Sequence, residues 1–165
     1  MDEKKSIEVS FKIEEIKKIS HSEINFKEYG IKSSEVSNGD YNVSIGIKFE
    51  VEESTIEILV NSRYHLKNGE NEDINLFELN NSYIFKIKNF KKVFNVKKRD
   101  ENDYDINIPD EFIANLLNIS IAGARGMQAV LNTVPEYKKL YIPLLNTMEI
   151  IKDFRGIHKK ASKKM

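Results

Sequence analysis

The most restrictive feature of the sequence is a long apolar stretch toward its C-terminal end. Residues 112–135 contain one charged side chain, Arg125, in a chain in which 32% of residues are charged. Apolar residues recur there on two neighbouring stripes at the 3.6-residue spacing of a helix. A helix that is apolar over most of its circumference is buried on more than one side. We therefore predict a helix over residues 109–132 that packs on the protein's own sheet and also contacts a second copy of the chain.

One stripe of this helix carries the predicted contact between copies. Its small residues would let a neighbouring backbone approach closely. Arg125, in the polar remainder of the helix, would satisfy backbone carbonyls or a carboxylate at the contact. The predicted interface residues are Leu116, Ile119, Gly123, Arg125, Gly126 and Val130. The run Gly-Ala-Arg-Gly at 123–126 also matches the GxxG loop of KH nucleic-acid-binding domains. Its place within continuous helical periodicity favours packing, so we expect no nucleic-acid partner.

Alternating apolar and polar residues before this helix predict four strands. The predicted strands cover residues 7–26 with a bulge at 14–16, then 41–51, 56–66 and 83–96. The connections read as a hairpin turn at 52–54, an exposed acidic excursion at 68–81 and a polar loop at 97–107. Strands followed by helices predict an α+β fold. We expect a four-stranded antiparallel sheet with one long and one shorter C-terminal helix packed on one face.

Asn146 and Glu149 suit the start of the shorter helix, which we predict to end near Gly156. Residues 1–157 then form one domain, followed by a basic, flexible tail over 158–165. Four strands span about 19 Å, whereas a helix covers about 10 Å. Apolar sheet area should therefore remain for the second helix, another subunit or a ligand.

The composition offers no support for catalysis. Basic and acidic residues balance at 26 each, and cysteine is absent. His21, His65 and His158 have no partners at metal-ligand spacing. We expect no enzyme activity, cofactor or metal site. The N-terminus has no signal-peptide pattern, and no apolar run approaches the roughly 18 residues of a membrane span. These features predict a cytoplasmic protein with no membrane insertion.

A calcium loop is the alternative interpretation of the acidic segment before the long helix. Asp100, Asn102 and Glu111 have part of the required spacing. Tyr104 and Asp105 occupy the positions that need an oxygen ligand and a glycine, and a proline stiffens the remainder. A solvated linker is the favoured interpretation.

Several segments, taken in order, resemble the SecB family of protein-export chaperones. They are residues 11–16 with 23–26, the pair Val93-Phe94, Ile108-Pro109 before the apolar helix, Ala124-Arg125-Gly126 within it, and the loop at 140–146. The resemblance spans residues 11–154. It implies a cytoplasmic homotetramer, a dimer of dimers, that holds unfolded polypeptides or preproteins without ATP. Clients of the family lie in apolar grooves between sheet and helices.

The resemblance also implies roles for individual residues. Glu23 matches an acidic position that implies contact with the SecA translocation motor. The matching client-binding positions are Val43, Ile45, Ile47, Phe94, Met148 and Ile151.

The sequence departs from this pattern where lysines replace expected acids, as at Lys27, Lys86 and in the tail. Such reversals would repel a partner patch that attracts acids, which makes docking on the motor uncertain. A SecB-like chaperone dedicated to an antitoxin, associated with a toxin system, fits these changes at least as well. A second alternative is a structural oligomerisation module whose assembly consumes all the apolar area and leaves no client groove.

Overall fold

The computed structural model describes residues 9–68, 72–100 and 103–161. The main sheet is four-stranded and antiparallel, with helices packed on one face, so the predicted α+β fold is confirmed. The strands are β1 (Phe11–Glu23), β2 (Asp40–Glu50), β3 (Thr55–Asn68), β4 (Glu72–Ile87), β5 (Lys97–Asp100) and β6 (Asp103–Asp105). The helices are α1 (Phe90–Val93), α2 (Asp110–Leu131) and α3 (Thr147–Ala161).

The main sheet has the strand order β1-β4-β3-β2, so the connection between β1 and β2 crosses from one edge to the other. This connection contains two 3-10 turns, Phe26–Tyr29 and Val36–Asn38. β2 and β3 pair in continuous register. The chain reverses direction in the turn between them, where Ser54 adopts a left-handed conformation with φ of 55°. The second and third predicted strands and their hairpin turn are confirmed.

β1 contains the bulge that its sequence predicts and a second one. Its pairing with β4 shifts register between Ile13 and Glu15 and again between Lys18 and Ser20. Ile13 and Ile16 are three residues apart, an odd spacing that would place them on opposite faces of a regular strand. The bulge adds one residue, so both lie opposite helix-facing residues of β4.

β4 begins in the segment that we expected to be an exposed excursion, and that prediction is wrong. Residues 72–81 pair with β3, and Leu76, Phe77 and Leu79 are buried. The register between β3 and β4 shifts between Tyr64 and His65, where Leu76 is the extra residue. The shift breaks the alternation in sequence, so two consecutive apolar residues are both buried and the period of a strand is lost.

The chain after β4 also differs from the prediction. β4 ends at Ile87 rather than near Val96, because Asn89 adopts a left-handed conformation with φ of 57° and starts α1. The predicted loop at 97–107 contains the hairpin β5–β6. Of the residues considered for calcium, Asp100 lies in this hairpin, Glu111 lies in α2 and Asn102 lies outside the described residues.

The long helix is confirmed, with Pro109 immediately before its first residue. The GxxG run lies inside α2, so it is not a loop of the KH kind. α3 starts after Asn146 as predicted, but it continues to Ala161, beyond the predicted end at Gly156. The first residues of the predicted tail are therefore helical, whereas 162–165 lie outside the described residues, as do 1–8. No described helix combines the length and apolarity needed to span a membrane.

α2 lies over β3 and β4, and the largest apolar cluster fills the space between them. Ile56, Ile58 and Phe85 are completely buried there. A smaller, aromatic cluster packs the β1–β2 connection on the other end of the sheet. In it, Tyr64 stacks on Phe77 with 5.5 Å between ring centroids. The helix-facing side of the sheet is thus sealed at its centre, and the two edges are left with less cover.

Candidate functional site

The first of two apolar surfaces lies along the β1 edge, and we call it the β1 surface. Phe112 of α2 packs edge-to-face on Phe11 of β1, with centroids 5.7 Å apart, so this side of α2 lies beside β1. Ile16 is 49% exposed and Val130 at the end of α2 is 82% exposed. The β1 surface consists of Ile13, Ile16, Ile119, Gly126 and Val130.

Only part of the predicted interface between copies lies on this surface. Leu116 is completely buried in the subunit's own core, which corrects its assignment to an interface. A Cβ on Gly123 would lie 2.7 Å from the ring of Tyr83, so this glycine serves the close packing of α2 on β4. The predicted residues that remain half-buried or exposed on the β1 side are Ile119, Gly126 and Val130.

The second apolar surface lies along the opposite edge, and we call it the β2 surface. Ile142 and Leu145, in the loop before α3, pack in the same apolar cluster as the helix-facing side chains of β2. This loop exposes Leu144 at 91% and Tyr141 at 62%. The β2 surface consists of half-buried Val43, Ile45 and Ile47 with exposed Tyr141, Leu144 and Met148.

Four of the six predicted client-binding residues therefore lie on the β2 surface. Phe94 is completely buried and Ile151 nearly so, which corrects their assignment as contact residues. Phe94 packs between Phe90 and Phe112, and Ile151 faces the main cluster from α3. The sequence contains no local signal for the most exposed position, Leu144, because it belongs to neither a strand nor a helix.

Two polar side chains of α2 hold the loop at residues 140–146 in place. Arg125 donates from Nε to the carbonyl of Ile142 over 2.9 Å and from Nη2 to the carbonyl of Pro143. Gln128 donates to the carbonyl of Leu140 and to the hydroxyl of Tyr41. Arg125 was predicted to bond backbone carbonyls or a carboxylate at a contact between copies, whereas the carbonyls that it bonds belong to its own chain. Because these bonds reach only backbone atoms of the loop, the side chains of Tyr141 and Leu144 are free to point outward.

Burial raises the pKa of Tyr41, and the hydrogen bond with Gln128 only partly opposes this effect. Its hydroxyl is therefore neutral over the whole physiological range. The contact between β2 and α2 through Gln128 does not depend on pH near neutrality.

Glu23 has a structural partner within the subunit. Its side chain is only 9% exposed. The carboxylate accepts hydrogen bonds from the backbone N–H of Thr133 at 2.9 Å and of Val134 at 2.6 Å, and from the Thr133 hydroxyl at 3.1 Å. Next to it, His21 Nε2 lies 3.2 Å from Asn132 Oδ1. Glu23 therefore joins the end of β1 to the end of α2 and does not present its carboxylate to a partner.

The sheet face opposite the helices is neutral. Its charged side chains form pairs, such as Lys17 with Glu15 at 2.9 Å and Arg63 with Glu78 at 3.3 Å. A cleft of about 490 Å³ lies at its centre, beside Leu59 and Gly46. Among the described residues, no three His, Cys, Asp or Glu side chains converge as a metal site would require. In the part of the chain that the structure describes, charge of one sign is therefore not concentrated on this face.

Comparison with known proteins leaves the family open. No family model and no curated protein matches this chain. Among solved structures, a protein of unknown function from Streptococcus agalactiae aligns with 86% of this chain and 99% of its own, at 9% identity and a TM-score of 0.28. A TM-score this low supports no conclusion about fold or function, so a functional inference has to depend on the geometry of the two apolar surfaces.

Proposed function

We propose that this protein is an ATP-independent, SecB-like holdase of the cytoplasm that binds unfolded polypeptides at the β2 surface. The observation that carries the proposal is the loop at 140–146. Its backbone is fixed by Arg125 and Gln128, and Gln128 also bonds Tyr41 of β2, while Tyr141 and Leu144 are exposed. Large apolar side chains held in water next to an incompletely covered sheet are typical of a binding surface.

Apolar contact suits a client without a defined structure. The hydrophobic effect is non-directional, so it does not require a particular client sequence. Burial contributes about 25 cal/mol per Å² of apolar area, less the free energy needed to order the client. Such binding is reversible and needs neither a cofactor nor a chemical step.

The β1 surface is the proposed site of self-association, toward the dimer of dimers that the SecB resemblance implies. It combines an exposed edge strand with apolar side chains of β1 and α2. An uncovered strand edge with apolar side chains favours pairing with another chain. Assigning the two edges to different partners leaves the β2 surface open in the assembled protein.

The proposal is tested by the ability of the purified protein to suppress aggregation of a denatured model client. Leu144→Asp should abolish suppression without a stability cost, because this side chain is almost fully exposed. Ile45→Asp should do the same at some cost in stability. Tyr29→Asp is the matched control, since Tyr29 is an exposed apolar residue outside both surfaces. Absence of suppression by the wild-type protein toward every client tried would refute the holdase.

The structural oligomerisation module makes the opposite prediction. If assembly consumes all the apolar area, the oligomer should bind little apolar dye, and Leu144→Asp should change its mass. The holdase should bind dye as an intact oligomer and lose that binding in Leu144→Asp. Mass measurement combined with dye binding separates the two functions.

The neutral outer face favours a dedicated client, such as an antitoxin, over delivery to the SecA motor. A motor that docks on acids would find Glu15 and Glu78 already paired with basic neighbours. Measurement of binding to the motor tests this choice. Saturable, salt-sensitive binding would favour export, and its absence would favour the dedicated chaperone.

A further inference from the structure

A strongly basic segment lies between the end of β4 and the end of β5. Residues 86–99 contain seven cationic side chains and no acidic one, in a chain whose basic and acidic residues balance overall. We call these side chains the basic arc. They are Lys86, Lys88, Lys91, Lys92, Lys97, Lys98 and Arg99.

The fold brings this segment together at one end of the sheet. Phe90 and Phe94 are buried, so the residues between them on α1 project Lys91 and Lys92 outward. Lys91 Nζ lies 2.8 Å from a carboxylate oxygen of Glu52, in the turn between β2 and β3. The hydrogen bond from Lys91 holds the pKa of Glu52 below its usual value, and Lys98 also acts on this carboxylate. α1 and the hairpin β5–β6 therefore converge on the turn that connects β2 to β3.

Most of the charge of the arc is not neutralised. Lys91 pairs with Glu52 and Arg99 pairs with Asp105. Lys86 donates to a backbone carbonyl. Among the side chains that the structure describes, no carboxylate lies within 4.0 Å of the remaining cations, which are Lys88, Lys92, Lys97 and Lys98. All four are exposed. This excess of unpaired cations contrasts with the paired charges of the outer sheet face.

The arc begins where the β2 surface ends. Phe49, two residues before the turn, contacts Phe154 of α3 with 6.5 Å between centroids, and Glu52 in the turn contacts Lys91. An extended polypeptide advances about 3.3 Å per residue. A chain held along β2 would therefore reach the arc within a few residues of its last apolar contact.

We propose that the basic arc binds acidic residues of the client that flank the apolar segment held at the β2 surface. This inference rests on the proposed holdase function and specifies its client, an unfolded polypeptide in which Asp or Glu adjoins an apolar stretch. Opposite charges at a rim add selectivity and speed of association more than affinity. Apolar area would retain the client, and the arc would select among clients.

A polypeptide fits the arc better than a nucleic acid does. Proteins that bind single-stranded nucleic acids offer exposed aromatic rings for base stacking. The two phenylalanines within residues 86–99, Phe90 and Phe94, are both buried. α1 has a single turn, too short to act as a recognition helix in a groove. The arc also adjoins an apolar surface, which a phosphate backbone would not occupy.

The experiment uses three labelled peptides with one apolar core, flanked by Glu, Gln or Lys, and measures binding by fluorescence anisotropy. We expect the Glu peptide to bind about tenfold more tightly than the Gln peptide at low salt, and the Lys peptide to bind most weakly. High salt should remove the differences. The triple variant Lys88→Glu, Lys92→Glu, Lys97→Glu should lose the preference for Glu and retain the Gln peptide. The matched control is Lys27→Glu, Lys32→Glu, Lys138→Glu, which reverses three exposed lysines outside the arc and should leave the preference intact.

The outcomes separate the two proposals. If the Gln peptide binds and the Glu peptide binds no better, the arc is not a client site and the holdase stands. If no peptide binds, the holdase itself is refuted, and the inference about the arc is overturned with it. Binding of single-stranded DNA that the triple variant abolishes, without any preference for Glu, would assign the arc to nucleic acid instead.

Discussion

The two edges of the sheet differ in regularity and in cover. β2 pairs with β3 without a register shift, and the loop at 140–146 lies over its helix-facing side. β1 has two shifts in its pairing with β4, and its isoleucines are more exposed than the apolar residues of β2. Bulges and lysines protect edge strands from indiscriminate pairing, and β1 has both. The difference supports the proposed division, in which β1 pairs with another copy of the chain and β2 binds clients.

The attachment of each edge to α2 also differs. A buried carboxylate, Glu23, joins β1 to the end of α2, whereas neutral groups, Tyr41 and Gln128, join β2 to its side. An anion that accepts backbone hydrogen bonds makes a stronger contact than a neutral pair. We expect the β1 attachment to contribute more to stability, and the β2 side to open more readily.

Alkaline pH should have the largest effect and unfold the protein through the β2 side and the adjoining aromatic cluster. Burial raises the pKa of Tyr41, Tyr64 and Tyr137 and raises that of Tyr83 to about 12. Unfolded chains lose these protons near pH 10, so the stabilisation is complete below pH 10 and is lost as pH rises through the folded-state pKa values. Tyrosinate absorbance and circular dichroism should change together above pH 10. Ionisation of all tyrosines near pH 10 with the fold intact would contradict this expectation.

Glu23→Ala should destabilise the protein by about 2–3 kcal/mol, because it leaves the N–H groups of Thr133 and Val134 without their acceptor. Chemical denaturation measures the free energy of unfolding. Glu15→Ala is the control on the same strand, where an exposed ion pair with Lys17 should cost less than about 1 kcal/mol. Equal effects of the two substitutions would show that the attachment of β1 is no stronger than a surface contact.

Arg125→Ala should cost about 1–2 kcal/mol, since it removes the hydrogen bonds to the carbonyls of Ile142 and Pro143. Amide hydrogen exchange should accelerate in residues 140–146 and remain unchanged in β1. Arg63→Ala, which removes an ion pair on the opposite sheet face, is the control for loss of an arginine. Unchanged exchange in the loop would mean that its apolar contacts suffice to hold it.

Ile16→Ser and Leu144→Ser should each change stability by about 0.5 kcal/mol or less, because both side chains are exposed. The two variants should differ in which binding activity they lose. Ile16→Ser should weaken self-association without affecting the binding of a neutral apolar peptide, and Leu144→Ser should do the reverse. Sedimentation and anisotropy measure the two effects. If both variants lose the same property, the division of partners between the edges is wrong.

The strands and helices that could be predicted are those whose buried apolar residues recur at one constant spacing along the whole element. β2 alternates from Tyr41 to Phe49, and α2 repeats at helical spacing over its whole length, so both were located to within two residues. The bulge in β1 was also predictable, because Ile13 and Ile16 have the wrong spacing for a single face. A regular pattern constrains local structure, because the side-chain direction repeats every second residue in a strand and every 3.6 residues in a helix.

The parts that could not be predicted depend on neighbours distant in sequence. The first half of β4 is a strand because β3 pairs with it from Glu72 and β1 joins on the other side from Phe77. Its Leu76 is an extra residue in the ladder with β3. The charge run of the basic arc is visible in the sequence at 86–99, but its place beside the β2–β3 turn, where Lys91 pairs with Glu52, is not. Its cations occupy a strand end, a one-turn helix and a hairpin, which adjoin only in the folded chain.

By itself, the sequence determined the α+β class, the long apolar helix and the chemical character of each strand face. The tertiary structure alone decided which members of one apolar stripe are available. Leu116 and Val130 lie on the same side of α2, yet one is completely buried and the other is 82% exposed. Periodicity specifies the direction of a side chain from its own backbone. Burial depends on what lies in that direction, which the folded chain alone decides.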